Sequence, residues 1–179
     1  MNLKGSKTEQ NLLEALKGES VARNKYAYYA SKAKKEGYVQ LSKIFEETAN
    51  NEKEHAKIWF KLLMNGSVPD TESNLKDCIK GENYEHTSMY PEFARIAKEE
   101  GFDKIAKLFE EVAKVELEHE LRYQKLLKNL ENKEIFKKEK EVKWECSNCG
   151  YVYSGKEAPD ICPLCSHEQS YFMIKSENY

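Results

Sequence analysis

Apolar positions along the first two-thirds of the chain recur at steps of three and four, the spacing of one face of an α-helix. Leu12, Leu16, Glu19, Arg23, Tyr26, Ala30 and Ala33 form one stripe, opened by a Ser6-x-x-Glu9 capping box and closed at Gly37. A second stripe predicts a helix over about 39–64: Leu41, Ile44, Phe45, Thr48, Glu52, His55, Trp59 and Leu62. Gly66 is its stop, and Pro69-Asp70 belong to a loop. A third helix starts near Ser73 and carries Leu75, Ile79, Glu82, Glu85 or His86, Met89, Phe93 and Ile96 inward, ending at Gly101. Pro91 falls inside it and should kink it or remove a hydrogen bond. Asp103 is placed to cap a fourth helix, with Ile105, Leu108, Val112, Glu116, His119, Tyr123 and Leu126 inward. The short connections at Gly37 and Gly101 each join antiparallel neighbours. The longer one, over about 65–72, has the length to cross a four-helix bundle.

The two helical halves repeat. Gly37-Tyr38 matches Gly101-Phe102 at an offset of 64, and Ile44-Phe45-Glu46-Glu47 matches Leu108-Phe109-Glu110-Glu111 at the same offset. Glu52, His55 and Tyr26 match Glu116, His119 and Tyr90 likewise, but Glu19 and Glu82 lie 63 apart. The third helix therefore holds one extra residue between Glu82 and Tyr90. A helix takes in one residue most simply as a π-bulge, a feature common at functional sites.

The polar members of these stripes carry the chemistry. Glu and His three apart share a helix face, so Glu52-x-x-His55 and Glu116-x-x-His119 each present a carboxylate and an imidazole together. Glu19 and Glu82 add one carboxylate each from the other two helices, the donor pattern of di-iron carboxylate bundles. Glu19, Glu52, Glu82, Glu85 and Glu116 would place five negative charges on apolar faces, each costing several kcal/mol without compensation. Two divalent cations return four positive charges, and oxygen donors with one nitrogen per metal suit iron or manganese. A lone Glu-x-x-His on a Glu-rich helix is ordinarily a solvated face; two at a constant offset, each with an upstream Glu, are not. Spacing alone places Glu85 less firmly. Glu54 and Glu118 lie off the stripe as surface residues, and His86 is not read as a ligand. Tyr26 and Tyr90 are either core tyrosines or hydrogen-bond donors to the carboxylates.

Residues 130–141 are highly charged and read as a helix tail and linker. Composition then changes to a small module of short strands and turns with Cys146-x-x-Cys149-Gly150-Tyr151 and Cys162-Pro163-Leu164-Cys165, twelve residues between the pairs. A module this small buries little core and needs a metal staple. Four thiolates define a tetrahedral site for zinc or iron. Cys78, on the third helix, reads as a core residue.

Of the 179 residues, Lys and Arg number 29 and Asp and Glu 31, with no basic run, so nucleic acid is not a favoured partner. The first ten residues lack the apolar segment of a signal peptide, and no apolar run reaches membrane length. The expectation is a soluble, cytoplasmic protein. Five cysteines there point to metal or redox chemistry rather than disulfides.

Glu19 within Gly-Glu-Ser, Glu52-x-x-His55, Gly81-Glu82-x-x-Glu85, Met89-Tyr90-Pro91, Glu116-x-x-His119 and the four-cysteine tail together resemble rubrerythrin over nearly the whole chain. The resemblance implies a mostly α protein: a ferritin-like four-helix bundle with linker over 1–141, then a small β-rich rubredoxin-like domain over 142–179. It implies a peroxidase that reduces hydrogen peroxide to water in protection against oxidative stress. Glu52 and Glu116 would bridge two irons, Glu19 would bind one, and Glu82 and His119 the other. Glu85 and His55 would exchange on the first iron, Glu85 when oxidised and His55 when reduced. Cys146, Cys149, Cys162 and Cys165 would hold a single electron-carrying iron. The family pattern is a head-to-tail homodimer taking electrons from rubredoxin or an NAD(P)H-dependent reductase. No Gly-rich dinucleotide fingerprint occurs, so NADH itself should not bind. Two other readings compete: a ferroxidase on the same di-iron site, and a zinc-stapled scaffold without catalysis. The electron-carrying tail argues against the first and the repeated inward ligands against the second.

Overall fold

A computed structural model of the protein describes residues 2–178. Met1 and Tyr179, the outermost residues of the two expected segments, lie outside the described residues. The chain divides into two compact units, one reaching to Asp70 and one starting at Thr71.

The first unit is a hairpin of two helices, α1 (Lys7–Lys35) and α2 (Val39–Leu63). The expected capping box opens α1: the Glu9 amide donates to Ser6 Oγ at 3.1 Å. The Glu9 carboxylate returns to the amide of Gly5, one residue earlier than usual, at 2.6 Å. Gly37 closes α1 in a left-handed conformation (φ 87°). The Tyr38 amide reaches back to the Ala33 carbonyl at 2.9 Å and the Gly37 amide to that of Lys34 at 3.1 Å.

The second unit begins with α3 (Thr71–Tyr84), a π-helical turn (Glu85–Met89), α4 (Tyr90–Glu99) and α5 (Asp103–Glu131), packed against one another. The extra residue inferred from the broken offset is this π turn, in which the Tyr90 amide donates to the Glu85 carbonyl five residues back. Pro91 falls in the first turn of α4, where its missing N–H costs little, so the disturbance expected at Pro91 is the π turn directly before it. Gly101 (φ 82°) ends α4 with the same pair of back-bonds as Gly37, from Phe102 to Ala97 and from Gly101 to Lys98. Asp103 does not cap α5. Phe102 is the cap residue, and Asp103 lies in the first turn, where its charge meets the positive end of the helix.

Apart from Glu120 on α5, the buried residues described in the helices are small. Ala30, Ala33, Ser42 and Ala49 form the seam of α1 and α2, and Ala94, Ala97 and Ala106 that of α4 and α5. Ala30, Ala33 and Ser42 repeat as Ala94, Ala97 and Ala106 at the offset of 64. Several large stripe residues expected inside are half-exposed instead: Leu41 at 50%, Ile44 at 52%, Ile105 at 46% and Leu108 at 65%. Two helices meeting along small side chains cover only a narrow strip, whereas these apolar stripes are as wide as a bundle needs.

After α5 come three antiparallel strands in the order β2-β1-β3: β1 (Lys137–Cys146), β2 (Val152–Glu157) and β3 (Phe172–Ile174). β1 thus takes in residues read as linker. Lys137 pairs with Glu157, and the register is broken between Lys137 and Val142, so its charged start is the loosely paired end. Trp144, Cys146, Ala158, Cys162 and Phe172 form its core. No helix among the described residues is long and apolar enough to cross a membrane.

Candidate metal centres

Two carboxylate–histidine groups stand on the helices, one in each unit. Glu19 on α1 meets Glu52 and His55 on α2, and Glu82 on α3 meets Glu116 and His119 on α5. Each group has donor atoms within 4.8 Å of one another. Their geometry repeats. His55 Nδ1 lies 2.9 Å from Glu52 and 3.9 Å from Glu19, and His119 Nδ1 lies 2.7 Å from Glu116 and 3.6 Å from Glu82. In both groups Nδ1, not Nε2, faces the carboxylates.

The electrostatics match a site built for cations. Burial, then the charge of Glu116, pushes the Glu82 carboxyl above its ordinary range, with His119 opposing. Tyr90 is raised by burial and by Glu85, Glu116 and Glu82, so its phenol keeps its proton beside them. Glu85, on the π turn, lies outside the close groups but near enough for its charge to act on Glu82 and Tyr90. Tyr26 lies edge-on to Tyr29 at 6.2 Å. Glu118 is exposed, Glu54 pairs with Lys57 on the surface, and Cys78 is a half-buried thiol.

Sequence reasoning missed Glu120. It is buried at 7% exposure, and its carboxylate accepts from Asn83 Nδ2 at 3.1 Å and Gln124 Nε2 at 2.7 Å, with His86 Nε2 at 2.5 Å. The bond with His86 holds its carboxyl below the usual range against the cost of burial, helped by Asn83 and Gln124. The one available signal was the repeat, where Ala56 occupies the position of Glu120.

The third group is Cys146, Cys149, Cys162 and Cys165. Cys146 and Cys165 sulfurs lie 3.7 Å apart, as do those of Cys149 and Cys162. A tetrahedral ion with metal–sulfur bonds of about 2.3 Å requires sulfurs about 3.8 Å apart, so the four fit one ion. The two loops are near copies. Gly150 and Ser166 follow the second cysteine of each with φ of 75° and 59°. The Cys146 and Cys162 amides donate to the carbonyls of Tyr151 and His167 at 2.9 and 2.8 Å. The Tyr151 amide draws the Cys149 thiol down, but burial and the thiols of Cys165, Cys162 and Cys146 outweigh it and push Cys149 up to about 12. The His167 amide dominates at Cys165, which falls to about 6 against the cost of burial.

Known proteins align with both parts. The Rubrerythrin family model matches residues 10–127, and the model "Rubrerythrin, rubredoxin-like domain" matches residues 144–173. Rubrerythrin-1 of Clostridium acetobutylicum is 49% identical, with 99% of each chain covered. Rubrerythrin of Porphyromonas gingivalis is 48% identical over 99% of this chain and 94% of that one. Rubrerythrin of Nitratidesulfovibrio vulgaris is 45% identical, with 99% of each covered. Matched in its helices, in its cysteine tail and along nearly its whole length, the chain belongs to the rubrerythrin family, with a ferritin-like helical part bearing a di-iron carboxylate–histidine site and a rubredoxin-like part bearing a four-cysteine iron site.

Proposed function

We propose that this oxidoreductase is a cytoplasmic non-haem di-iron peroxidase that reduces hydrogen peroxide to water in defence against oxidative stress. The supporting observation is the pairing, in one chain, of two like carboxylate–histidine groups with a four-thiolate site. On this reading Glu19, Glu52, His55, Glu82, Glu85, Glu116 and His119 share the di-iron ligand set, and Cys146, Cys149, Cys162 and Cys165 hold the third iron. Segment 1–141 would carry the reaction and segment 142–179 the electron supply. Iron in the two sites would supply the redox chemistry: two electrons to peroxide from a ferrous pair, restored singly through the four-cysteine ion.

The O–O bond breaks as two electrons and two protons arrive, and two waters leave. The chain's own groups manage charge and protons. The carboxylates would offset the cationic charge, and His55 and His119 would present Nδ1 to the same ions. Tyr90, kept protonated by burial and the surrounding carboxylates, would serve as a hydrogen-bond donor at the edge of the site. Electrons would come from rubredoxin or an NAD(P)H-dependent reductase, and a head-to-tail homodimer would bring the cysteine part of one copy to the helical part of the other.

The test is anaerobic. Reduced, iron-loaded protein is mixed with limiting hydrogen peroxide in a stopped flow. Fast oxidation of the ferrous pair, seen as a gain of absorption, then slower oxidation of the thiolate-bound iron, with one peroxide consumed per two electrons, is expected. Absence of any response at both centres overturns the reading.

A further inference from the structure

Glu120 is a buried carboxylate with no place in the ligand set, and three side chains are spent on it. Asn83 and His86 bond one oxygen, Gln124 the other. Asn83 sits between Glu82 and the π turn, His86 lies within the turn directly after Glu85, and Glu120 directly follows His119. One carboxylate therefore ties both sides of Glu85 to the helix bearing Glu116 and His119. A buried carboxylate is costly unless its acceptors are filled, so the donors and the turn that aims them are bound to one another.

The first half is an internal control. There Ala56 replaces Glu120, and Ser20 replaces Asn83 and bonds only the Leu16 carbonyl of its own helix at 2.7 Å. That half has no π turn: α1 runs unbroken from Lys7 to Lys35. The clamp and the π turn occur together in one half and are both missing from the other. Thr87 adds a local brace, its hydroxyl donating to the Asn83 carbonyl at 2.6 Å.

We propose that Glu120 is a positioning residue that, through Asn83 and His86, fixes the π turn and so sets where Glu85 stands relative to the Glu82, Glu116 and His119 group. The inference rests on the reading of Glu85 as an iron ligand. It concerns what places that ligand.

The test uses the full chain and two readouts besides activity. In the metal-free protein, Glu120→Ala should speed amide hydrogen exchange of residues 85–90 about tenfold, the effect of losing roughly one net hydrogen bond, and leave α1 and α2 unchanged. In protein loaded with the Mössbauer isotope of iron, Glu120→Ala should shift the carboxylate-bound iron signals toward those of Glu85→Ala. The thiolate-bound signal stays fixed, and Glu120→Gln, which keeps one oxygen to accept from Asn83 and His86, restores most of the native spectrum. If Glu120→Ala does not fold, His86→Ala and Asn83→Ala remove one donor each and are read the same way. Native exchange and native spectra in these variants, beside a shifted Glu85→Ala, overturn the clamp and leave the ligand reading standing. An unshifted Glu85→Ala removes Glu85 from the ligand set and overturns both.

Discussion

His119 Nδ1 lies 2.7 Å from Glu116 Oε2, and the other helical hairpin repeats the contact at 2.9 Å between His55 and Glu52. In each, an imidazole nitrogen and a carboxylate oxygen one turn apart face each other at hydrogen-bond distance, the arrangement of two donors to one ion. If these are ligands, Glu116→Ala removes a direct metal bond. Peroxide turnover should then fall by more than about a hundredfold, beyond what residues that merely support a metal ligand cost. Iron content should drop at the carboxylate site and stay at the four-cysteine site. Metal analysis with the thiolate absorption band separates the two.

Glu82 makes the metal-free protein's stability depend on pH. Burial and the charge of Glu116 raise its carboxyl in the folded state. A raised acid contributes stability that is complete below the unfolded value, near 4.5, and is lost as pH rises through the folded value. Glu82→Gln should therefore raise the metal-free Tm at neutral pH, make little difference near pH 4, and abolish the gain that wild type shows on iron loading. Thermal unfolding of both proteins across pH, with and without iron, checks all three.

Much of this was legible because it is local or repeated. The helix stops at Gly37 and Gly101, the recurrence of Glu-x-x-His and the slip from 64 to 63 that marks the π turn all sit in short windows of sequence. The clamp on Glu120 was not, since it joins Asn83 and His86 to a residue 37 and 34 positions on, and only the register of α3 against α5 brings them together. Lys137 to Glu141 read as linker because that end of β1 buries almost nothing, and a strand held by pairing alone leaves no apolar alternation. The stripes gave the right faces but not their burial, because the closest packing runs along Ala30, Ala33 and Ala49 rather than Leu41 and Ile44.

The glycines separate two kinds of backbone role. Gly37 and Gly101 are left-handed, so Ala at either should cost about 1–2 kcal/mol whatever the space around it. They share no hydrogen-bond partner, so the costs should add in the double variant. Gly18 and Gly81 lie inside helices, and an added Cβ would meet nothing within 4 Å. Ala there should instead stabilise by about 0.5–1 kcal/mol. Chemical denaturation of the single variants distinguishes the two classes by sign.

The four-cysteine part should depend on its metal for its fold and on pH for its metal. Among the described residues five are buried in its core, with Phe136, Val142, Cys149, Tyr151 and Cys165 partly buried against them, and two of the five are the ligand candidates Cys146 and Cys162. A structural metal in such a small module contributes about 10 kcal/mol or more, far beyond what that core supplies. Chelation, or Cys162→Ser, should therefore expose Trp144, red-shift its fluorescence and open residues 137–174 to protease, while the helical circular dichroism persists. In the metal-free form Cys165, near 6, is already a thiolate at neutral pH, whereas Cys149, near 12, still holds its proton. Binding must displace that proton, so affinity should rise about tenfold per pH unit for each proton released, between about 6 and 12. Competition against a chromogenic chelator at several pH values measures the slope. A flat profile would mean that binding displaces no thiol proton, that of Cys149 included, and Cys149→Ser should then bind metal as wild type does.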